Sequence, residues 1–290
     1  MHCQTLGVIG GSGLYALSGA SGLGQIEETS VTTPFGVPSS PIVRGCLGDT
    51  AVLFLARHGR GHTLAPHEIN YRANIHALKA LGATHLVSIS AVGSLREEIE
   101  PGHAVTPSQV LDRTTGRAST FFDHGVVAHV AMADPICPLM EGAVAAAAET
   151  AGARVHRGKT YVCVQGPRFS TRAESHSFRA LGADVIGMTA APEAFLAREA
   201  ELPYATLALA TDYDCWRPSD DVDVTRILAV LHANVERAQA TIFALASSLP
   251  DASKSPASAA LEFAVLTRAD AIEPSARERL SLLLRRHFGG

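Results

Sequence analysis

The sequence predicts an α/β fold, a single domain with a mixed, largely parallel sheet flanked by helices, and three observations predict it. Short apolar, β-branched runs alternate with helical patterns along most of the chain, the order that gives a sheet with crossover helices. Three of the helical patterns stop at a glycine, where a left-handed residue closes a helix. The chain has 290 residues, 47% of them hydrophobic, enough to bury one large core.

The elements follow in order. Residues 6–9 (LGVI) read as a buried strand running into Gly10 and Gly11. The next residues, GSGLYA, satisfy the G-x-G-x-x-G/A pattern of a dinucleotide-binding turn. Such a turn needs a helix opening at the glycines, yet Gly19, Gly22 and Gly24 follow, each costing about 1 kcal/mol in a helix interior. The segment is therefore expected to be a glycine-rich bend with Ser12 at its tip. It is either an anion nest of N–H groups and hydroxyl or a plain tight turn. A second strand, 51–56 (AVLFLA), ends on Arg57 and His58; a helix over 69–81 stops at Gly82; and the strand 85–90 runs into the small residues 91–93. Helix 139–151 stops at Gly152, strand 160–164 follows, and helix 172–181 stops at Gly182. Strand 184–186, helix 191–201 and strand 205–210 come next, the last ending in ATDYDCW. A long helix over 224–249, with Asp223 as its N-cap, a polar linker over 250–258 and a terminal helix over 275–286 complete the chain.

Composition narrows the chemistry. A net charge of -4 without clustered Lys and Arg argues against a nucleic-acid surface. No run approaches the roughly 18 apolar residues of a membrane span, and the first residues, MHCQTLGVIGG, do not form an export signal. The five cysteines, 3, 46, 137, 163 and 215, are an odd set without a C-x-x-C pair. That suggests reduced thiols and a cytoplasmic chain. His58 and His62 are four apart, but Gly59 and Gly61 between and beside them argue against a helical metal pair.

Two strand ends carry chemistry. Arg57 and His58 put a guanidinium and an imidazole at a strand terminus, and arginine's fork suits an anionic oxygen. Crevices at the carboxyl ends of strands are where open α/β sheets take ligands. At the other end, an apolar strand stops abruptly in Asp212 and Asp214. Residues two apart on an extended chain share a face, so either both carboxylates face one pocket or they form a solvated loop edge. The single Trp of the chain sits beside them.

The segments IGGSGLY, FLARHGRGH, NYRANIHALKALGATH, SLREEIEPG, DRTTGR, QGPRFSTRAES, MTAAPE and ATDYDCW, in this order, resemble the purine nucleoside phosphorylase family. The resemblance runs over about 6–245. It implies the nucleoside phosphorylase fold over 1–249, followed by a linker and helical tail over 250–290. It also implies phosphorolysis of S-methyl-5'-thioadenosine to adenine and 5-methylthioribose 1-phosphate. The alternatives are an enzyme for S-methyl-5'-thioinosine or another 6-oxopurine nucleoside, and a nucleoside-binding protein without catalysis.

The resemblance further implies a phosphate site at Ser12, Arg57, His58, Ser90, Ala91 and Thr189. The purine lies near Ala91, Val92, Gly93 and Phe169, with the catalytic residues Asp212 and Asp214 at its N7 and 6-amino edge. Met188 meets the ribose through its backbone, Val224 and Leu228 line the methylthio pocket, and His129 comes from a neighbouring subunit of a homotrimer or hexamer. Inorganic phosphate is a co-substrate; no metal and no organic cofactor is implied. Two departures concern the base site: Gly187 stands where the animal enzymes have Asn, and Val92 where they have Cys.

Overall fold

The computed structural model describes residues 4–11, 24–217 and 224–286; at 25, 224–229, 231 and 232 it describes backbone only. The strands are β1 (Thr5–Gly10), β2 (Gly24–Thr29), β3 (Ile42–Leu47), β4 (Thr50–Ala56), β5 (His85–Ser94), β6 (Ala104–Arg113), β7 (Val155–Val164), β8 (Val185–Gly187) and β9 (Tyr204–Asp212). The helices are α1 (Tyr71–Ala80), α2 (Pro138–Thr150), α3 (Arg172–Ala180), α4 (Ala190–Glu199), α5 (Val224–Ala246) and α6 (Pro274–Leu280).

All nine strands join one sheet in the order β2-β3-β4-β1-β5-β8-β7-β6-β9, and a further β5–β9 pairing closes five of them into a ring. The pairs β1–β4, β1–β5, β5–β9, β6–β7 and β7–β8 are parallel. The pairs β2–β3, β3–β4, β5–β8 and β6–β9 are antiparallel. The sheet is mixed, as the sequence predicts. Its central strands β1, β4, β5 and β9 are buried nearly throughout, which is why they read as continuous apolar runs rather than alternating ones. Because these four run parallel, Gly10, Ala56, the end of β5 and Asp212 emerge at one edge.

Three strands escape the apolar-run reading. β2 (GQIEET) is a polar edge strand, β3 carries Arg44 and Gly45, and β6 contains Pro107, where its register with β7 shifts. Proline withholds a ladder hydrogen bond and belongs at such irregularities. The three capping glycines take positive φ, at 92° for Gly82, 78° for Gly152 and 87° for Gly182, as the cap requires. The expected N-cap Asp223 lies outside the described residues. The terminal helix is shorter than 275–286; it covers Pro274–Leu280 only.

Residues beyond 250 fold back on the body. The Pro250 carbonyl accepts from Gln4 Nε2 and faces His85 Nε2, each at 2.9 Å. Two 3-10 turns, Ala252–Lys254 and Pro256–Ala259, follow. Leu261, Ile272, Ala276, Leu280, Leu283 and Leu284 then enter the same buried cluster as β1, β4 and α1. A second cluster, including Val92, Val105, Tyr161, Val185 and Ala208, fills the ring of strands.

Candidate active site

A cavity of about 510 Å³ opens where the parallel strands end, bounded by Gly11, Arg57, His58, residues 89–93, Phe169, residues 186–189, Asp212 and Asp214. Eleven of the fifteen residues that the sequence nominated converge on it: Arg57, His58, Ser90, Ala91, Val92, Gly93, Phe169, Met188, Thr189, Asp212 and Asp214. Ser12 lies outside the described residues, as do the side chains of Val224 and Leu228 on α5. His129 stands apart, exposed, its backbone N–H donating to Ala264 O at 2.8 Å.

Arg57 follows β4, and its N–H donates to Gly10 O at 2.9 Å, tying the two strand ends together. Its side chain is 1% exposed. The sequence suggests an arginine fork aimed at an anion; instead Nε and Nη2 grip Glu193 at 2.8 and 3.2 Å. Nη2 also donates to Ser88 Oγ at 2.5 Å and Ile9 O at 3.3 Å, and Nη1 to Ile89 O at 3.1 Å. Of the five donor hydrogens, one on Nη1 is left for the cavity. Glu193 is fully buried and takes a third bond from Tyr204 Oη at 3.0 Å. A buried charge must be paired, and here the pairing is internal. The sequence signal for Glu193 is a lone carboxylate in the apolar first half of α4, in MTAAPEAF.

His58 stacks on His62 at 4.3 Å between ring centroids, and its Nδ1 lies 2.9 Å from Leu64 O. Burial, then the neighbouring Arg57 charge, push its pKa down to about 4. The ring is therefore neutral near pH 7, donating from Nδ1 and leaving Nε2 as an acceptor. Among the described residues no group of three or more His, Cys, Asp or Glu is arranged to hold a metal ion.

Ser90 lies on β5 and Thr189 immediately precedes α4. Thr189 makes no side-chain capping bond, so its hydroxyl is free to face Ser90 Oγ, 3.4 Å away. Arg117, from the DRTTGR segment, supports this region from behind. It donates to the carbonyls of Met188 and Ala191 at 2.8 and 2.7 Å, and of Gln165 at 2.7 Å. One guanidinium thus ties together the segments that follow the paired strands β7 and β8. Nothing in the sequence marks Arg117 apart from its place in a quoted segment.

At the opposite end, Asp212 Oδ2 accepts from Thr211 Oγ1 and Asp212 Oδ1 from the backbone N–H of Asp214, both at 2.7 Å. Strand alternation does not bring the two carboxylates together: the strand ends at Asp212, and Asp214 sits in a turn at φ 52°. Burial raises the pKa of each, since neither makes an ion pair among the described residues. Gly93 leaves the room they use; a Cβ there would lie 3.2 Å from Asp212 Oδ1 and 3.2 Å from Asp214 Cβ. Trp216 does not line the cavity. It is buried under Arg179, whose guanidinium lies 3.5 Å from its ring centroid, and donates to Ser94 O at 2.8 Å.

The family model of the phosphorylase superfamily matches residues 5–247. The S-methyl-5'-thioadenosine phosphorylase of Geobacter sulfurreducens is 52% identical, over 97% of this chain and 98% of that protein. The S-methyl-5'-thioadenosine phosphorylase of Chloroflexus aurantiacus is 50% identical, over 99% and 100%. Among solved structures, a methylthioadenosine phosphorylase from an antarctic soil metagenomic library superimposes with a TM-score of 0.91 at 46% identity, covering 98% of this chain and 100% of that one. The methylthioadenosine phosphorylase of Schistosoma mansoni, in complex with adenine, gives 0.82 at 33% identity, over 97% and 98%.

Proposed function

The chain belongs to the phosphorylase superfamily, and on that premise we propose how its cavity works. The reaction is phosphorolysis of S-methyl-5'-thioadenosine to adenine and 5-methylthioribose 1-phosphate, the activity that the names of its near-full-length relatives carry. The observation that carries the division of labour is the cavity's asymmetry. Hydroxyls and a neutral imidazole stand at one end, and two carboxylates, Asp214 buried and Asp212 half-buried, at the other.

Phosphate occupies the end formed by Ser90, Ala91, Thr189, His58 and the remaining Arg57 N–H, and Ser12 is the further ligand that the family resemblance assigns to it. The purine lies along Ala91, Val92, Gly93 and Phe169, its N7 and 6-amino group toward Asp212 and Asp214. Met188 meets the ribose, and Val224 and Leu228 face the methylthio group. A phosphate oxygen attacks C1' of the sugar as the C1'–N9 bond breaks, its electron pair passing to the purine. The protonated Asp212 carboxyl gives its proton toward N7, which burial favours by keeping the acid form available. The O–H of monohydrogen phosphate donates a hydrogen bond to neutral His58 Nε2; once the ester has formed that proton is lost to solvent, and Asp212 regains one, which closes the cycle. Phosphate is both nucleophile and electrostatic partner of the cationic sugar. Inorganic phosphate is the only small molecule this scheme adds to the nucleoside.

The 6-amino preference follows from hydrogen-bond complementarity. A carboxyl at position 212 accepts from an amino group and donates toward N7, whereas a 6-oxopurine presents a carbonyl. The test is kcat/KM for methylthioadenosine, methylthioinosine, adenosine and inosine with saturating phosphate. Methylthioadenosine is expected to lead; a lead for methylthioinosine replaces this base assignment with the 6-oxo alternative.

The active form is read as a homotrimer in which His129 completes a neighbour's pocket. His129 lies beside the Ala128–Val265 bridge, and Phe263 and Leu266 near it are 88% and 60% exposed, an apolar surface suited to a second copy. Activity on dilution, followed with light scattering, is expected to fall as the assembly dissociates. A fully active monomer would contradict it. A cytoplasmic location is favoured by Cys46, Cys137, Cys163 and Cys215, which are all unpaired.

A further inference from the structure

Tyr161 on β7 lies outside the cavity wall, fully buried, with its hydroxyl 3.2 Å from Ser90 Oγ. Ser90 Oγ in turn is 3.4 Å from Thr189 Oγ1 and 3.3 Å from the Ala91 carbonyl. Three hydroxyls thus cluster between the interior of the strand ring and the cavity. The backbone makes room for the first of them: a Cβ at Gly187 would lie 1.9 Å from Tyr161 Oη and 2.6 Å from its Cζ. No other residue type at 187 is compatible with this tyrosine in this position.

Each hydroxyl has one hydrogen to give. Were Ser90 to donate to Tyr161, its hydrogen would point inward and its lone pairs outward, toward any anion in the cavity. With Tyr161 as donor, the Ser90 hydrogen is kept out of the interior; it is given to the Ala91 carbonyl at 3.3 Å and is available to an anion beside it. The phenol is suited to that role, since burial pushes its pKa up to about 12 and it keeps its proton across the neutral range. We propose that Tyr161 is a positioning residue for the phosphate co-substrate: it donates to Ser90 Oγ from behind and so turns the Ser90 hydroxyl, and with it that of Thr189, toward the anion. The inference rests on the placement of phosphate at Ser90 and Thr189 given above.

The experiment is a double-mutant cycle on KM for phosphate, with KM for methylthioadenosine measured in parallel. Tyr161→Phe is expected to raise the phosphate KM roughly three- to tenfold, as for a lost hydrogen bond, and to exceed any change in the nucleoside KM. Ser90→Ala raises the phosphate KM as well, and Tyr161→Phe added to Ser90→Ala raises it no further, because the hydroxyl it orients is gone. A simple packing defect from Tyr161→Phe would move both KM values together or add fully to Ser90→Ala, and either result overturns the proposal alone. An unchanged phosphate KM in Ser90→Ala overturns the phosphate placement and the proposal with it.

Discussion

At one end of the cavity the Arg57 guanidinium is enclosed by Glu193, Ser88 and two carbonyls. At the other, Asp214 is buried and Asp212 half-buried, neither with an ion pair among the described residues, and Asp212 is held by a threonine hydroxyl and a backbone N–H. Both ends are largely withdrawn from water, so the main difference lies in the partners. A guanidinium matched by a buried carboxylate stays charged at every working pH, and its geometry is fixed by five bonds. Buried carboxylates without a matching cation shift toward the neutral acid, which turns them into proton donors. The cavity therefore combines a rigid, permanently charged end with a titratable one, as a reaction between a bound anion and a leaving base requires.

The largest effect expected is at the rigid end. Glu193→Gln leaves Arg57 buried and unmatched, and removing one partner of a buried ion pair costs about 3–5 kcal/mol. Denaturant unfolding should show most of that loss; a change below about 1 kcal/mol would mean that the Glu193 charge does not hold Arg57. At the titratable end, Asp212→Asn should leave the fold intact and alter selectivity. The ratio of kcat/KM for methylthioadenosine over methylthioinosine is expected to fall roughly five- to 150-fold, the range set by about 1–3 kcal/mol for one unpaired polar group. An unchanged ratio would remove Asp212 as reader of the 6-position.

The smallest effect lies outside the cavity, at a carboxylate that resembles the second end. Glu199 accepts from Thr120 Oγ1 at 2.8 Å and the Phe121 N–H at 2.7 Å. Burial raises its pKa to about 7 from 4.5. The folded state then binds the proton more tightly than the unfolded chain, so the stabilisation is complete below about 4.5 and is lost as pH rises toward about 7. Between pH 5 and 8 the Tm of the wild type should decline more steeply than that of Glu199→Gln. Parallel slopes would show that Glu199 is ionised in the fold at pH 5 already.

Much of this was legible in the residues, and the parts that were not have distinct physical causes. The central strands and the glycine-capped helices announce themselves because burial on both faces and left-handed caps restrict composition. The site residues from Arg57 to Asp212 stand at strand ends, where an apolar run breaks into polar groups. Edge strand β2 and proline-bearing β6 are hidden because exposure and irregular register relax that restriction. Glu193, Arg117 and Tyr161 are hidden for another reason. Each acts through a partner distant in sequence: Glu193 through Arg57, Arg117 through the carbonyls of Gln165 and Met188, and Tyr161 through Ser90. The turn that brings Asp214 beside Asp212 depends on a positive φ at a non-glycine residue, which sequence spacing does not foretell.

In a phosphorolytic cleavage, release of the base depends on phosphate. The initial rate of adenine formation from methylthioadenosine, measured across phosphate concentrations from zero to saturation, should rise hyperbolically from a negligible intercept. Each adenine should be matched by one 5-methylthioribose 1-phosphate. Adenine released at full rate without phosphate, with free methylthioribose as the other product, would contradict it.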